Sequence, residues 1–221
     1  MTAQVKSQPE PATRDRILRT AFQLFHEQGF HATGVATIVR EADINPGSLY
    51  HFFQGKDQLL LQVLEFAMHY LGPAVMEPVE RQTQDPIERI FALLDQYRDG
   101  MLRHGCRMGC PIGNLALEVS DGNPGARQLI HQNFENWASR VEGWLVEAGD
   151  RLPADLDRAR LAHFVLTVME GGLMQARAAD DLGVFDQSVA VLREHLDLLR
   201  RRARKQKKHE GNGKKGKGKL A

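Results

Sequence analysis

The sequence predicts an all-α protein with a small N-terminal head of three helices on a larger helical body. Apolar residues recur at spacings of three and four along nearly every segment, which is the period of a helix with one buried face. No alternating run of β-branched residues is long enough to predict a sheet. Hydrophobic residues make up 42% of the 221-residue chain, which is enough to build a core.

Three helices are predicted in the head. The apolar face of the first consists of Ile17, Ala21, Leu24 and Phe25, and Gly29 ends this helix. A short second helix covers about residues 35–42. The third begins where Asn45 offers an N-cap and Pro46 suits the first helical position, and it ends before Gly55.

The body is predicted to contain longer helices. They cover about residues 56–71, 86–103, 112–119, 124–148, 157–180 and 185–204. The first of them is a stiff rod of roughly 24 Å, which would join the head to the body. The domain boundaries that follow are a flexible leader at 1–13, the head at 14–55, the body at 56–205 and a disordered basic tail at 206–221.

The charge of the chain is unevenly distributed. The formal net charge is +1, but residues 200–221 contain eleven Lys or Arg and one Glu, a net charge of +10. Residues 57–199 contain twelve basic and twenty-two acidic side chains. Because an acidic surface repels phosphate, a nucleic-acid surface is expected at the N-terminal end or in the tail.

Several classes of protein are excluded by what the sequence lacks. There is no uninterrupted apolar stretch of about 18 residues, so we expect a cytoplasmic protein without a membrane partner. The HEQGF segment at His26 lacks the second His of a zinc-protease helix, and neither a phosphate loop nor a nucleophile elbow occurs. We therefore expect no enzyme activity and no cofactor.

The head contains a helix-turn-helix layout with a recognisable pattern. The segment GFHATGVATIVREADINPGSLYHFFQGKDQLL resembles the DNA-binding region of the TetR family of one-component repressors. The matching residues are Gly29, Phe30, Thr33, Val35, Ile38, Ala42, Gly47, Leu49, Tyr50, Phe53, Lys56 and Leu59. The pattern departs from the family at Gly34, where Ser or Thr is usual, and at Asp43, where Gly is frequent.

The resemblance implies roles for individual head residues. Thr33, Tyr50 and Lys56 would contact phosphates of double-stranded operator DNA. The residues that would face base edges are Pro46, Gly47, Ser48 and His51.

By the same resemblance, the body would bind a small-molecule effector and form a homodimer. Two stripes predict the dimer interface, with an internal core of the subunit as the alternative: Phe164, Val168, Gly171 and Gln175 on one helix and Val189, Leu192, Leu196 and Leu199 on the next. The expected pocket residues offer aromatic walls and few polar anchors: Cys110, Asn114, Phe134, Trp137 and Met169.

Both cysteines of the chain lie in the segment HGCRMGCP, and four interpretations are open. His104, Cys106 and Cys110 could bind zinc, but no fourth ligand completes a known spacing, and no metal site is predicted. A disulfide is disfavoured in a reducing compartment. The thiols could simply be buried packing groups. Alternatively, Cys110 could be reactive, because a helix start at Pro111 would lower the pKa of its thiol.

The region after Cys110 carries a second resemblance. GCPIGNLALEVSD followed by NPGARQLI resembles the branch of the family that senses electrophiles and small unsaturated acids, with Cys110 at the position of that branch's cysteine. The predicted function is a dimeric, ligand-responsive repressor that leaves a palindromic operator when an effector binds. The alternatives are a thiol-based electrophile sensor and a non-specific DNA-binding protein dominated by its basic tail.

Overall fold

The computed structural model describes the backbone of residues 12–217 and the side chains of residues 12–208. The predicted all-α class is confirmed. The helices of this range are α1 (Thr13–Gln28), α2 (Val35–Glu41), α3 (Pro46–Phe52), α4 (Lys56–Leu71), α5 (Glu77–Gln82), α6 (Pro86–Arg103), α7 (Pro111–Val119), α8 (Pro124–Glu147), α9 (Arg158–Ala179) and α10 (Gly183–Lys217). Most of the predicted leader, residues 1–11, lies outside the described residues.

Local side-chain caps explain where most of these helices begin. Asn45, Asp85, Asn123 and Asp157 each accept a hydrogen bond from a backbone N–H in the first turn of the following helix. In three of these cases a proline follows the cap, at a position where the missing N–H is not needed. The four helix starts predicted from these residues are confirmed.

The rod α4 is the central helix of the head–body connection. Its apolar stripe is buried: Leu59, Leu60, Val63, Leu64, Ala67 and Leu71. Gly72–Met76 continues it as a π-helical turn into α5, so Pro73 alters the helix without ending it. Lys56–Gln82 is long and apolar enough to cross a membrane by composition alone. Because its apolar side chains pack into the core, it has the properties of a central helix of a globular body.

Helices α4–α5 and α8 lie side by side and run in the same direction away from the head. Leu61 lies against Gly125 at the start of α8, and the Asn133 amide donates to the Leu64 carbonyl over 3.1 Å. Further along, the Trp144 indole N–H donates to Glu80 over 2.9 Å. One continuous core therefore joins head and body.

The C-terminal helix is longer than the sequence predicts. Residues 206–217 are helical, so the prediction of disorder from residue 206 is wrong for them, and residues 218–221 lie outside the described range. Ala203 is buried, and Lys207 pairs with Asp150 over 2.5 Å. These contacts hold α10 beside the turn that follows α8, and the long Lys and Arg side chains favour a helix.

The basic tail leaves the body at the end opposite to the head. Helix α8 starts beside the head-proximal part of α4, and its 24 residues span about 36 Å. Asp150 follows directly after the far end of α8 and pairs with Lys207 of α10. The described part of α10 therefore leads away from the helix-turn-helix.

Candidate nucleic-acid interface and internal cavity

Helix α3 presents a polar, exposed edge at the surface of the head. Pro46, Gly47, Tyr50 and His51 are exposed, and Tyr50 is 58% exposed. On the opposite side of this helix, Leu49 is fully buried and anchors the helix to the core. The exposed edge has the dimensions and polarity of a helix that enters the major groove.

The N-terminus of α3 is fixed by its own cap. The Asn45 side-chain oxygen accepts the Ser48 N–H over 2.8 Å and the Ser48 hydroxyl over 3.1 Å. Asp43 precedes this cap in the left-handed region with φ 50°, a conformation in which Asp carries some strain. The predicted departure from the family at Asp43 therefore leaves the turn intact.

Thr33 does not reach the surface, so the prediction that it contacts phosphate is wrong. Its side chain is completely buried, and its hydroxyl donates to the Gly29 carbonyl over 2.7 Å. Its N–H donates to the Phe30 carbonyl. Thr33 thus closes the turn after α1. Sequence alone does not distinguish this structural role from phosphate contact, because Thr is able to serve in both.

Lys56 stays near the predicted DNA edge but is tied to the turn between α1 and α2. Its ammonium lies 4.3 Å from the centre of the Phe30 ring and donates to the His31 carbonyl over 3.3 Å. Partial burial lowers the pKa of Lys56, while the nearby Glu118 carboxylate opposes that shift. Since an ammonium has three donors, Lys56 keeps hydrogens for a phosphate.

A contact that the sequence analysis missed joins the body to the head. Glu118 on α7 accepts the Phe30 N–H over 2.8 Å and the His31 N–H over 2.6 Å. A second contact is the His26 ring, whose Nε2–H donates to the Gly109 carbonyl over 2.8 Å. Gly29 allows the Glu118 carboxylate to approach the backbone of this turn, because an added Cβ on Gly29 would lie 3.0 Å from that carboxylate.

A cavity of about 400 Å³ that is partly open to solvent lies between α7, α8 and α9. Its walls are formed by Gly109, Cys110, Gly113, Asn114, Ala116, Leu117, Phe134, Glu170, Gly171, Leu173, Met174 and Arg177. Cys110, Asn114 and Phe134 are therefore brought together as predicted. Most of the wall is apolar, and its volume suits a small organic ligand.

Two predicted pocket residues lie elsewhere. Met169 is fully buried in the core and is not part of the cavity wall. Trp137 lines a separate cleft against α4 and α5 and packs on Tyr97 with the ring centres 5.6 Å apart. The prediction is wrong for both residues, since an aromatic or sulfur side chain on a helix fills a core as readily as a cavity. The sequence analysis also missed Glu170 and Arg177.

The two cysteines have different surroundings, and both are free thiols. Cys110 is 2% exposed and serves as the cap of α7, where its sulfur accepts the Gly113 N–H over 3.3 Å. Burial and the neighbouring Glu170 carboxyl raise the pKa of Cys110 well above its usual value. The expectation that the helix start would lower this pKa is wrong, because burial outweighs the helix terminus.

Half of the predicted dimer stripe is exposed and half is internal. Phe164, Val168, Gly171 and Gln175 lie on the outer side of α9. On α10, however, Leu192, Leu196 and Leu199 are buried within the subunit, and Val189 packs against the same core. Their assignment to the dimer interface is wrong. Val191, His195 and Leu198 are among the residues of α10 that are exposed instead.

The paired glycines of α9 also divide between the two sides. An added Cβ on Gly172 would lie 2.9 Å from the Phe185 ring, so this glycine lets α9 and α10 pack closely inside the subunit. Gly171 has open space beside it and lines the cavity.

Both parts of the chain match protein-family models. A model described as "Bacterial regulatory proteins, tetR family" matches residues 17–63, and one described as "Tetracyclin repressor-like, C-terminal domain" matches residues 86–192. The HTH-type transcriptional regulator LmrA of Bacillus subtilis is 32% identical over 176 residues, covering 76% of this chain and 87% of that protein. The chain belongs to the TetR family. Its relatives are DNA-binding transcriptional regulators rather than enzymes.

Solved structures agree with this assignment. A TetR regulatory protein from Rhodobacter sphaeroides superposes with a TM-score of 0.74 at 25% identity, covering 83% of this chain and 98% of that chain. The reduced form of Escherichia coli NemR superposes with a TM-score of 0.75 at 22% identity, covering 82% and 95%. The likeness to NemR concerns the fold. Membership of the electrophile-sensing branch stays a prediction.

Proposed function

We propose that this TetR-family regulator is a homodimeric repressor that binds a palindromic operator and is released by a small molecule in the α7–α9 cavity. The exposed edge of α3 is the observation that supports DNA binding. Tyr50 would donate to a phosphate, and Pro46, Gly47, Ser48 and His51 would approach base edges. Since the head offers only one short helix to the groove, two heads on one palindrome supply the affinity.

The dimer would form through the outer side of α9 and α10. Phe164 is 46% exposed, Val191 64% and Leu198 60%, so these apolar side chains remain uncovered in one subunit. With Val168, Gly171 and Gln175 they form one face of a helix pair. A second copy of this pair would complete a four-helix bundle about a twofold axis.

Helix α7 is the element we propose for signal transmission. Its first half lines the cavity through Gly113 and Asn114, and its second half holds the head through Glu118. No residue of α4 lines the described cavity wall, so α4 alone is poorly placed to transmit a signal from a bound ligand to the head. An effector releases DNA only if it binds more tightly to the geometry that cannot bind DNA.

The two alternative functions have weaker support. The thiol of Cys110 is buried, and its raised pKa disfavours the reactive thiolate. The basic tail leaves the body far from α3, so it is poorly placed to contribute to binding of the same duplex. We propose a cytoplasmic location, where the DNA target is found.

The proposal is tested by selecting operator fragments from genomic DNA with the purified protein. We expect retained fragments to share a palindrome, and the complex to contain an even number of subunits by light scattering. Phe164→Glu should yield monomers that lose most operator affinity, whereas Glu142→Gln on α8 serves as a surface control. Retention of fragments without a shared motif, or full operator affinity in a monomeric variant, would refute the proposal.

A further inference from the structure

The cavity wall contains the half-buried carboxyl group of Glu170, one oxygen of which is fully buried. Glu170 on α9 has one oxygen, Oε1, that is buried and has no hydrogen-bond partner among the described residues. Burial raises the pKa of Glu170 from 4.5 to about 7. An unpaired buried polar group costs free energy, so stability alone does not account for it.

The backbone of α7 is shaped around this carboxyl group. A Cβ on Gly113 would lie 2.1 Å from Glu170 Oε2, closer than any side chain is able to pack. The absence of a side chain at Gly113 therefore holds open the position of the carboxyl group at the cavity wall. The same glycine donates its N–H to Cys110.

The groups that face Glu170 come from three elements. Cys110 caps α7, Tyr97 projects from α6, and both have a pKa that burial raises well above the usual value. Both are therefore uncharged near neutral pH. Arg177, two turns further along α9, is exposed and donates to the Asn114 side chain over 3.3 Å. Among the described residues, Arg177 is the cation that lines the cavity, and its hydrogen bond goes to Asn114, with no ion pair to Glu170.

We propose that the effector is a small apolar compound with a protonated amine, which donates a hydrogen bond to Glu170. This inference rests on the proposed function, in which the cavity is the effector site. The apolar body would lie against Leu117, Phe134 and Leu173, which line the same cavity. A charge-assisted hydrogen bond in such an apolar site is stronger than one in water.

Arg177 and Glu170 together distinguish three classes of ligand. Its guanidinium lies at the exposed side of the cavity, where solvent screens its repulsion of a cation. A carboxylate ligand could pair with Arg177 but would place a second negative charge beside Glu170. A neutral alcohol could donate to Oε1 without gaining the ion pair. The three ligand classes therefore predict different responses to changes at Glu170 and Arg177.

The test compares naphthylmethylamine, naphthylmethanol and naphthoate, which share one apolar skeleton, together with the octyl series of the same three groups. By calorimetry at about pH 8, we expect the amine of at least one series to bind at least tenfold more tightly than its alcohol and carboxylate. Glu170→Gln should remove this preference, whereas Glu142→Gln should retain it. Arg177→Gln should leave amine affinity unchanged or higher.

The pH dependence gives an independent readout. If the carboxylate form binds the amine, affinity should rise about tenfold between pH 6 and pH 8, since the ionised fraction of a group with a pKa of about 7 rises by that factor. Binding near pH 7 should release protons to the buffer. Glu170→Gln should show a flat profile.

Operator release is measured separately from binding. Amine binding that depends on Glu170 but leaves operator affinity unchanged would retain the ligand class and refute the proposed signalling. Operator release by the alcohol or the carboxylate with no response to an amine would retain the signalling and overturn the amine proposal. Failure of both amines to bind, or an amine preference that survives Glu170→Gln, would also overturn it.

Discussion

The edge of α3 and the α7–α9 cavity place their polar side chains in opposite surroundings. Tyr50 and His51 are exposed and ready to meet a phosphate or a base. Cys110 is buried and Glu170 is half-buried with its Oε1 atom fully buried, and this burial raises the pKa of both. An exposed polar group costs the fold little before DNA arrives, whereas a buried one costs free energy until a ligand pairs with it.

Helix α7 connects the cavity to the turn between α1 and α2 of the head over only nine residues. Cys110 and Gly113 belong to the cavity end, and Glu118 belongs to the head end. A rigid helix of about 13 Å transmits displacement of one end to the other. Substitutions are therefore expected to be of three kinds. Some alter stability at the cavity, some alter the contact between α7 and the head, and some alter only the contact with DNA.

The largest expected effect is on stability, from Glu170→Gln in the ligand-free protein. The pKa of Glu170 is about 7 in the folded protein, above its ordinary value of 4.5. The free energy of folding that the protonated group contributes is therefore fully present below about pH 4.5 and is lost as the pH rises through 7. Glutamine cannot ionise and escapes this loss. We expect the variant to gain about 2 kcal/mol relative to wild type between about pH 5 and pH 8, measured by urea unfolding. A difference that is independent of pH would contradict the burial of a titrating carboxyl group.

Glu118→Ala tests the link between cavity and head. It removes the acceptor of two backbone N–H groups, and we expect a loss of about 2 kcal/mol in unfolding free energy. Operator affinity should fall as well, because the turn at Phe30 and His31 is no longer held. Glu118→Gln keeps one acceptor and should show a smaller effect in both measurements. Unchanged stability with Ala would show that water replaces the carboxylate.

Tyr50→Phe tests the exposed edge alone. Removal of the hydroxyl should weaken operator binding by about 1 kcal/mol, roughly fivefold, across all operator sequences, because a phosphate contact carries no base information. Stability should be unchanged, since the side chain is 58% exposed. The measurement is a DNA titration at fixed salt. If the variant binds the operator with wild-type affinity, the Tyr50 hydroxyl does not contact DNA. If the variant is less stable, the hydroxyl has a role in the fold.

The smallest effect is expected from truncation after Lys208. Although residues 209–221 carry four Lys and one Glu, α10 leads them away from the head. Operator affinity should change less than about twofold, and the salt dependence of operator binding should be retained, since it arises from phosphate contacts at the head. The check is a series of titrations at several salt concentrations. A markedly flatter salt slope would mean that the tail reaches the bound duplex.

The helix-turn-helix was predictable because its signals are local. Asn45 before Pro46 defines a helix start within a few residues, and the family pattern lies within one short segment. The cavity was predictable only in part. Cys110, Asn114 and Phe134 meet there as expected, but Glu170 and Arg177 join them from α9, which is separated from Phe134 by the whole second half of α8 and the turn after it. Nothing in their local sequence indicates that meeting.

The sequence by itself determined the helices, their caps and the family, because apolar period and capping act between residues that are close along the chain. Only the tertiary structure decided which side of a stripe faces another helix and which faces solvent. Leu192 and Phe164 are alike as sequence signals, yet one is buried in its own subunit and the other is exposed. Likewise, burial by distant segments sets the pKa of Cys110 and Glu170, since desolvation depends on every atom nearby in space.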